Sequence, residues 1–258
     1  IFTMKQLNKA ILYEGPSLID GQPIVAIATY SDKNTKTGLM VQTYILCQNI
    51  DPRDANKNGQ DFSICGNCPL KGIPTLNPKR KLAEKRTCYV RIDQGALIVW
   101  KAYQRGSYPN VSSSWLSYIF KKVCKLLKIK VNNRIAELGR GRMVRLGTYG
   151  DPAAVPSYVW EQLLEEAIGH TAYSHQNDII PIDKKIFMGS ADSLEHAKKL
   201  WSDNIRTFRM IQSLDEIQDN EILCPASKEA GRKSTCAKCK LCSGTSSNSK
   251  KSIAIVQH

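Results

Sequence analysis

Four cysteines crowd into 19 residues near the C-terminus as Cys224-x11-Cys236-x2-Cys239-x2-Cys242, within CPASKEAGRKSTCAKCKLC. No other feature constrains the fold of this chain so strongly. Three of the four recur every third residue among Lys, Ser and Gly, surroundings that do not bury thiols as ordinary core residues, so the pattern reads as a metal-ligand set. The chain has nine cysteines, an odd number, and in a reducing compartment such spacings are metal patterns before they are disulfides. Structural zinc commonly takes two separated CxxC knuckles, whereas a CxxCxxC run with a more distant fourth cysteine resembles the way iron-sulfur cubanes are held. The spacing favours a [4Fe-4S] cluster, with zinc as the alternative.

A second group, Cys65-x2-Cys68-x19-Cys88, lies in ICGNCPLKG and TCYVR. Three thiolates leave one position open, which distinguishes a reactive site from a closed structural one. Cys47, at the end of the strand-like run MVQTYILC, is the candidate for a fourth ligand. Cys124 falls within the helical pattern WLSYIFKKVCKLLKI and is expected to be a small core residue.

The remaining pattern predicts an α/β fold. Residues 1–60 hold short alternating runs bounded by Gly, Pro, Asn and Asp, which reads as an N-terminal antiparallel β element. Residues 61–223 read as a β/α barrel-like core, partial or complete, and 224–258 as the cysteine cluster with a final strand. CYVRI, ALIVWKAY, MVRLGTY, HTAYSH, KIFMGSA, IRTFRMI, ILCPA and SIAIVQH are the expected strands, with helices over WLSYIFKKVCKLLKI, SYVWEQLLEEAIG and SLEHAKKLWSD between them. Chemistry in such folds sits at the carboxyl ends of the strands. That rule singles out Gly147-Thr148-Tyr149-Gly150-Asp151-Pro152, Ser174-His175-Gln176, Ser190-Ala191-Asp192, Arg209 and Cys224 on one rim, with Tyr149, Asp151 and His175 as candidate catalytic side chains. His170 and His175 share a strand at odd separation and should face opposite ways.

CGNCPLKG, CYV, RLGTYGDPAAVP, AYSHQ and the C-terminal cysteine segment together resemble a family of phage and bacterial cysteine-cluster proteins, over roughly residues 60–258. The layout is also similar to the radical-SAM superfamily, whose partial barrel carries a three-cysteine [4Fe-4S] site. That resemblance implies an open cluster on Cys65, Cys68 and Cys88, a turn at Gly147, Gly150 and Asp151 that meets the amino-acid end of SAM, and an auxiliary cluster on the C-terminal cysteines. The superfamily usually spaces its cysteines CxxxCxxC in one loop. Here 19 residues separate the second and third, which weighs against SAM.

The charge is as uneven as the cysteines. Residues 71–145 carry 18 Lys and Arg against the acids Glu84, Asp93 and Glu137, about the whole net charge of +14. A block of this kind suits a polyanion. In Trp115–Val131, Leu116, Phe120, Val123 and Leu127 follow helical spacing and are expected to face the core. Lys121, Lys125 and Lys128 then form another face, followed by Arg134, Arg140, Arg142 and Arg145. The expected partner is DNA or RNA held by its backbone, with Lys121, Lys125, Lys128, Arg140 and Arg142 as contacts. A non-enzymatic nucleic-acid-binding protein with two structural metal sites is the other reading. No GxxxxGK[ST], HExxH or GxSxG occurs, so nucleotide hydrolysis, zincin proteolysis and α/β-hydrolase chemistry lack their parts. No apolar run reaches membrane-spanning length, and the start Ile1-Phe2-Thr3-Met4 lacks a leader pattern. We expect a cytoplasmic protein, in the host cell if it is phage-encoded.

Overall fold

The structure is a computed structural model and describes residues 6–31, 37–231, 234–246 and 249–257. The Ile1–Met4 start lies outside them. Strands β1 (Lys9–Pro16), β2 (Pro23–Ser31) and β3 (Met40–Cys47) form the expected antiparallel ribbon, in register from Lys9↔Thr29 to Pro16↔Pro23 and from Ile24↔Cys47 to Ser31↔Met40. β2 is apolar almost throughout, and Ile24 to Ala28 are fully buried.

Residues 48–142 then leave the sheet. They hold α1 (Pro52–Asn58), α2 (Phe62–Cys65), α3 (Ala96–Gln104), α4 (Trp115–Leu126) and α5 (Arg134–Gly139). The chain returns as β4 (Met143–Tyr149), parallel to β3, and after α6 (Ser157–Leu164) as β5 (Gly169–Thr171), parallel to β4. Trp160 of α6 is fully buried and donates its indole N–H to the Pro152 carbonyl at 2.8 Å. It anchors a core shared by these strands, α3, α5 and α6, with Leu46, Ala96, Ile135, Leu138 and Leu146.

At Ala172 the chain passes from one sheet to the next. Its N–H donates to the Cys242 carbonyl at 2.9 Å and its carbonyl accepts from the Met188 N–H at 3.0 Å. β6 (Tyr173–Ser174) then opens an all-parallel sheet with β7 (Met188–Ala191), α7 (Leu194–Ser202), β8 (Thr207–Ile211), β9 (Glu221–Leu223), α8 (Cys236–Cys239) and β10 (Ser252–Val256). Its strand order is β6-β7-β8-β10-β9. Buried Arg209 binds Glu221 through two nitrogens at 2.9 and 2.6 Å and ties β8 to β9 across β10.

The architecture is therefore mixed α/β with two five-stranded, parallel-rich sheets. Among the described residues no pairing joins the outer strands β1 and β9, so the complete barrel is not formed, although an open, partial arrangement is compatible with this order. Two strand assignments are corrected. Residues 88–92 join no strand, and ALIVWKAY is helix α3. Its run is apolar enough for either state, and tertiary packing decides by burying Ala96, Leu97 and Val99 on one side. Among the described residues no helix is long and apolar enough to cross a membrane.

Candidate metal centre and cavity

The sequence separation of Cys68 and Cys88 is removed by a neck. α2 ends at Gly66 (φ +50°), where a Cβ would run into the side-chain amide of Gln176. The Cys68 N–H turns back onto the Cys65 carbonyl at 3.1 Å, and Pro69–Lys71 adds a 3₁₀ turn. Ile73 and Glu84 exchange two backbone hydrogen bonds of 2.8 Å, closing an excursion of the chain, after which the Thr87 and Cys88 N–H groups both donate to the Leu70 carbonyl. Asn56 holds the excursion to α1 by donating to the Lys71 carbonyl and accepting from the Ala83 N–H. Arg86 fixes the next residues through the carbonyls of Cys88 and Val90.

Gln176 is the keystone of this loop. It is completely buried, and its Nε2 donates to the Cys65 carbonyl at 2.9 Å and to Asp151 Oδ2 at 3.2 Å, while its Oε1 accepts from the Asn67 N–H. The CGNC, GDP and SHQ motifs thus meet at one point.

The second cysteine group is built between β9 and β10. The Cys224 N–H donates to the Ala254 carbonyl, and α8 is closed by Lys240 in the left-handed region (φ +59°). Arg206 holds the segment around Cys242 through the carbonyls of Leu241, Gly244 and Lys251.

All seven cysteines of the two groups line one cavity of about 510 Å³, a volume in the usual range of small-ligand sites. It opens along the carboxyl edge of the parallel strands. The wall is supplied by Arg145 and Gly147 to Asp151 at β4, Tyr173 and His175 at β6, Ser190 to Asp192 at β7, and Phe208 and Met210 from β8. Cys47 is not part of the lining. Its thiol donates to the Gln60 carbonyl, and burial, with Asp61 and Asp20 nearby, pushes it up to about 12. Cys124 is buried in α4, and His170 bonds the Ile186 carbonyl at 2.9 Å.

Burial, then the neighbouring Asp61, Cys68 and Cys88, pushes the Cys65 thiol well up. Burial also raises Cys88, and it pushes Cys242 up to about 12 despite a hydrogen bond with Tyr173. Thiols held this way stay protonated and inert unless a metal cation displaces the proton. Among the described residues no three His, Cys, Asp or Glu side chains converge on the spacing of a single metal ion. Thiols are soft donors of the kind that bind zinc and iron-sulfur clusters.

His175 is buried, which alone lowers its pKa, but hydrogen bonds to Asp192 (Nε2···Oδ1 3.2 Å) and Cys68 raise it to about 10. At neutral pH it is a cation beside the first cysteine group. Tyr149 places a buried hydroxyl, without a hydrogen-bond partner, near Cys65. Asp151 is spent on structure: Oδ1 accepts from the Ala153 N–H, and Oδ2 accepts from the His175 N–H at 2.7 Å and from Gln176. A side chain at either glycine of that turn would run into protein. A Cβ at Gly147 (φ +70°) would lie 2.7 Å from Pro152, and one at Gly150 (φ +78°) 2.8 Å from Ile45. Gly147, Gly150 and Asp151 all line the cavity.

The basic residues are arranged differently from the sequence expectation. α4 turns its lysines toward α6 and leaves its apolar stripe in solvent. Lys121 donates to Gln162 and Lys125 pairs with Glu165 at 2.6 Å, while Leu116 and Leu126 are 78% and 83% exposed and Phe120, Val123 and Leu127 are also exposed. The apolar stripe was read as core because sequence periodicity gives the faces of a helix without saying which one packs. Here Glu161 and Glu165 of α6 and its C-terminal end supply partners for the lysine face. Arg140 pairs with Glu166, and Arg142 donates to the Leu7 carbonyl and Asn8 and stacks on Tyr30. Lys128, in the left-handed region (φ +58°), is exposed. Arg145 leaves the exposed series and lies buried in the cavity wall. Its signal was a lone charge in the apolar strand MVRLGTY. Tyr89, whose hydroxyl accepts from Arg145 at 2.6 Å, carried no comparable signal. No family model, curated protein or solved structure matches the chain.

Proposed function

We propose that the chain is an iron-sulfur protein of open, radical-SAM-like layout whose two cysteine groups hold clusters facing one reaction cavity. The observation that carries this reading is the convergence of Cys65, Cys68, Cys88, Cys224, Cys236, Cys239 and Cys242 on a single cavity at the carboxyl edge of the parallel strands. A cluster held there supplies one-electron chemistry. Protein groups then do the rest: His175 carries a proton beside Cys68, held by Asp192, and Gln176 fixes the loop that bears Cys65. No step is assigned to SAM. Anaerobic purification with iron, sulfide and zinc analysis tests the proposal. Iron with equimolar acid-labile sulfide and absorbance near 400 nm is expected, whereas a colourless protein with stoichiometric zinc supports two structural sites on a non-enzymatic binding protein.

Nucleic acid remains the proposed partner, with different carriers. Residues 71–91 hold seven Lys and Arg against Glu84, and Lys71, Arg86 and Tyr89 of this segment line the cavity. Lys79, Arg80, Lys81 and Lys85 are exposed there, and Lys125 and Arg140, also exposed, are held by Glu165 and Glu166. Replacing these four by Ala should lower the logarithmic salt slope by about 0.7 to 0.9 per lost contact in an anisotropy titration. An unchanged slope, or no affinity at low salt, removes this partner.

A further inference from the structure

A guanidinium is expensive to bury without an opposite charge, because the lost hydration is recovered only through close partners. Arg145 is in that position. It is 9% exposed, in the middle of β4, and among the described residues it forms no ion pair with a carboxylate. The ionisable groups that act on it most strongly are Tyr89, Tyr173, Cys236 and Tyr44. A guanidinium has five N–H donors, yet among the described residues the one hydrogen bond made by this side chain is from Nη2 to the Tyr89 hydroxyl at 2.6 Å, and Nε has no partner. The geometry therefore leaves a planar, permanently charged fork in the wall of the cavity with most of its donors unspent.

Tyr89 explains how such a group is tolerated. It is 67% exposed, on the basic segment at the cavity wall, and it touches Arg145 through its hydroxyl and ring, with the guanidinium carbon 5.8 Å from the ring centroid. A neutral phenol satisfies one donor and brings no carboxylate to the charge. Residues 71–91 add positive potential on the approach.

We propose that Arg145 is the anchor for an oxyanion, the phosphate or carboxylate group of a substrate that enters the cavity, and that Tyr89 holds its place until that group displaces the phenol. Arg binds both kinds of group in bidentate fashion, through two parallel N–H···O bonds. The inference rests on the cavity being the working site and names the chemistry of what enters it. It does not depend on which metal the cysteines hold.

The test uses the full chain as purified, with its metal content measured on the same sample. Calorimetric titrations with inorganic phosphate and with succinate, each against sodium chloride at equal ionic strength, distinguish a phosphate from a carboxylate site. We expect one of the two to bind one equivalent, at least tenfold more weakly in Arg145→Met, and about fivefold more tightly in Tyr89→Phe, which frees one hydrogen bond of ordinary strength. Tyr89 is exposed, so its variant keeps the proposal falsifiable even if Arg145→Met fails to fold. Absence of binding above the chloride control overturns the proposal, as does unchanged affinity in Tyr89→Phe. Loss of metal from Arg145→Met, in a protein whose parent binds neither probe, assigns Arg145 instead as counter-charge to Cys236. Metal-free protein that still binds a probe refutes the cluster reading and leaves this one standing.

Discussion

Replacing Gln176 by glutamate changes one atom type at the point where three motifs meet, and its cost can be worked out. Gln176 has no exposed surface, and its Nε2 lies 3.2 Å from Asp151 Oδ2 and 2.9 Å from the Cys65 carbonyl. In Gln176→Glu two carboxylates face each other at that distance, a repulsion of about 5 kcal/mol at an effective dielectric of about 20. The variant avoids it by keeping the introduced carboxyl protonated, since burial and Asp151 both push its pKa up. A folded pKa above the unfolded value means stability present at low pH and lost as pH rises. Holding the proton costs about 1.4 kcal/mol per pH unit above about 4.3, so about 2 kcal/mol at pH 6 and about 5 kcal/mol at pH 8. Urea denaturation followed by circular dichroism at the two pH values reads this difference directly. Gln176→Met is the control: it leaves the Cys65 carbonyl and the Asn67 N–H short of a partner, about 1 to 3 kcal/mol each at full burial, with no pH dependence. A Gln176→Glu penalty that stays constant between pH 6 and 8, or vanishes at pH 8, would refute the keystone role.

Other perturbations test separate parts of the structure. Arg209→Met strands buried Glu221 and should cost about 3 to 5 kcal/mol in urea denaturation. Leu126→Ser on the outward face of α4 should change stability by less than about 0.5 kcal/mol, whereas Trp160→Ala in the core should cost about 3 to 5 kcal/mol; a large loss at Leu126 would mean that α4 packs the other way round. Cys239→Ser should release metal from the C-terminal group alone and lower the melting temperature, because ligand binding is coupled to folding. Unchanged metal content and melting would remove that group from the site.

Much of the carboxyl-edge rim was legible because strand endings carry local signals. MVRLGTYGDP, HTAYSHQ and KIFMGSAD each end an apolar run in Gly, Ser, His or Asp, and their residues do line or brace the cavity. The cysteine spacings also carried the grouping, but not the neck at Ile73 and Glu84 that returns Cys88 to Cys68, since that pairing has no period. What could not be read is long-range choice. Nothing local says that the lysine face of α4 meets Glu161 and Glu165, that ALIVWKAY coils into a helix, or that Asp151 spends both oxygens on N–H groups. Arg145 is the instructive case: counted by charge it belongs with Arg140 and Arg142, but it sits inside the apolar strand β4 and lines the cavity.

The central claim is that both cysteine groups hold iron clusters on one cavity, and anomalous diffraction at the iron edge from anaerobically grown crystals tests it most directly. The account predicts two iron peaks, one at Cys65, Cys68 and Cys88 and one at Cys224, Cys236, Cys239 and Cys242, both bordering the cavity that contains Arg145. Zinc-edge signal alone, or no anomalous signal at either group, would contradict it.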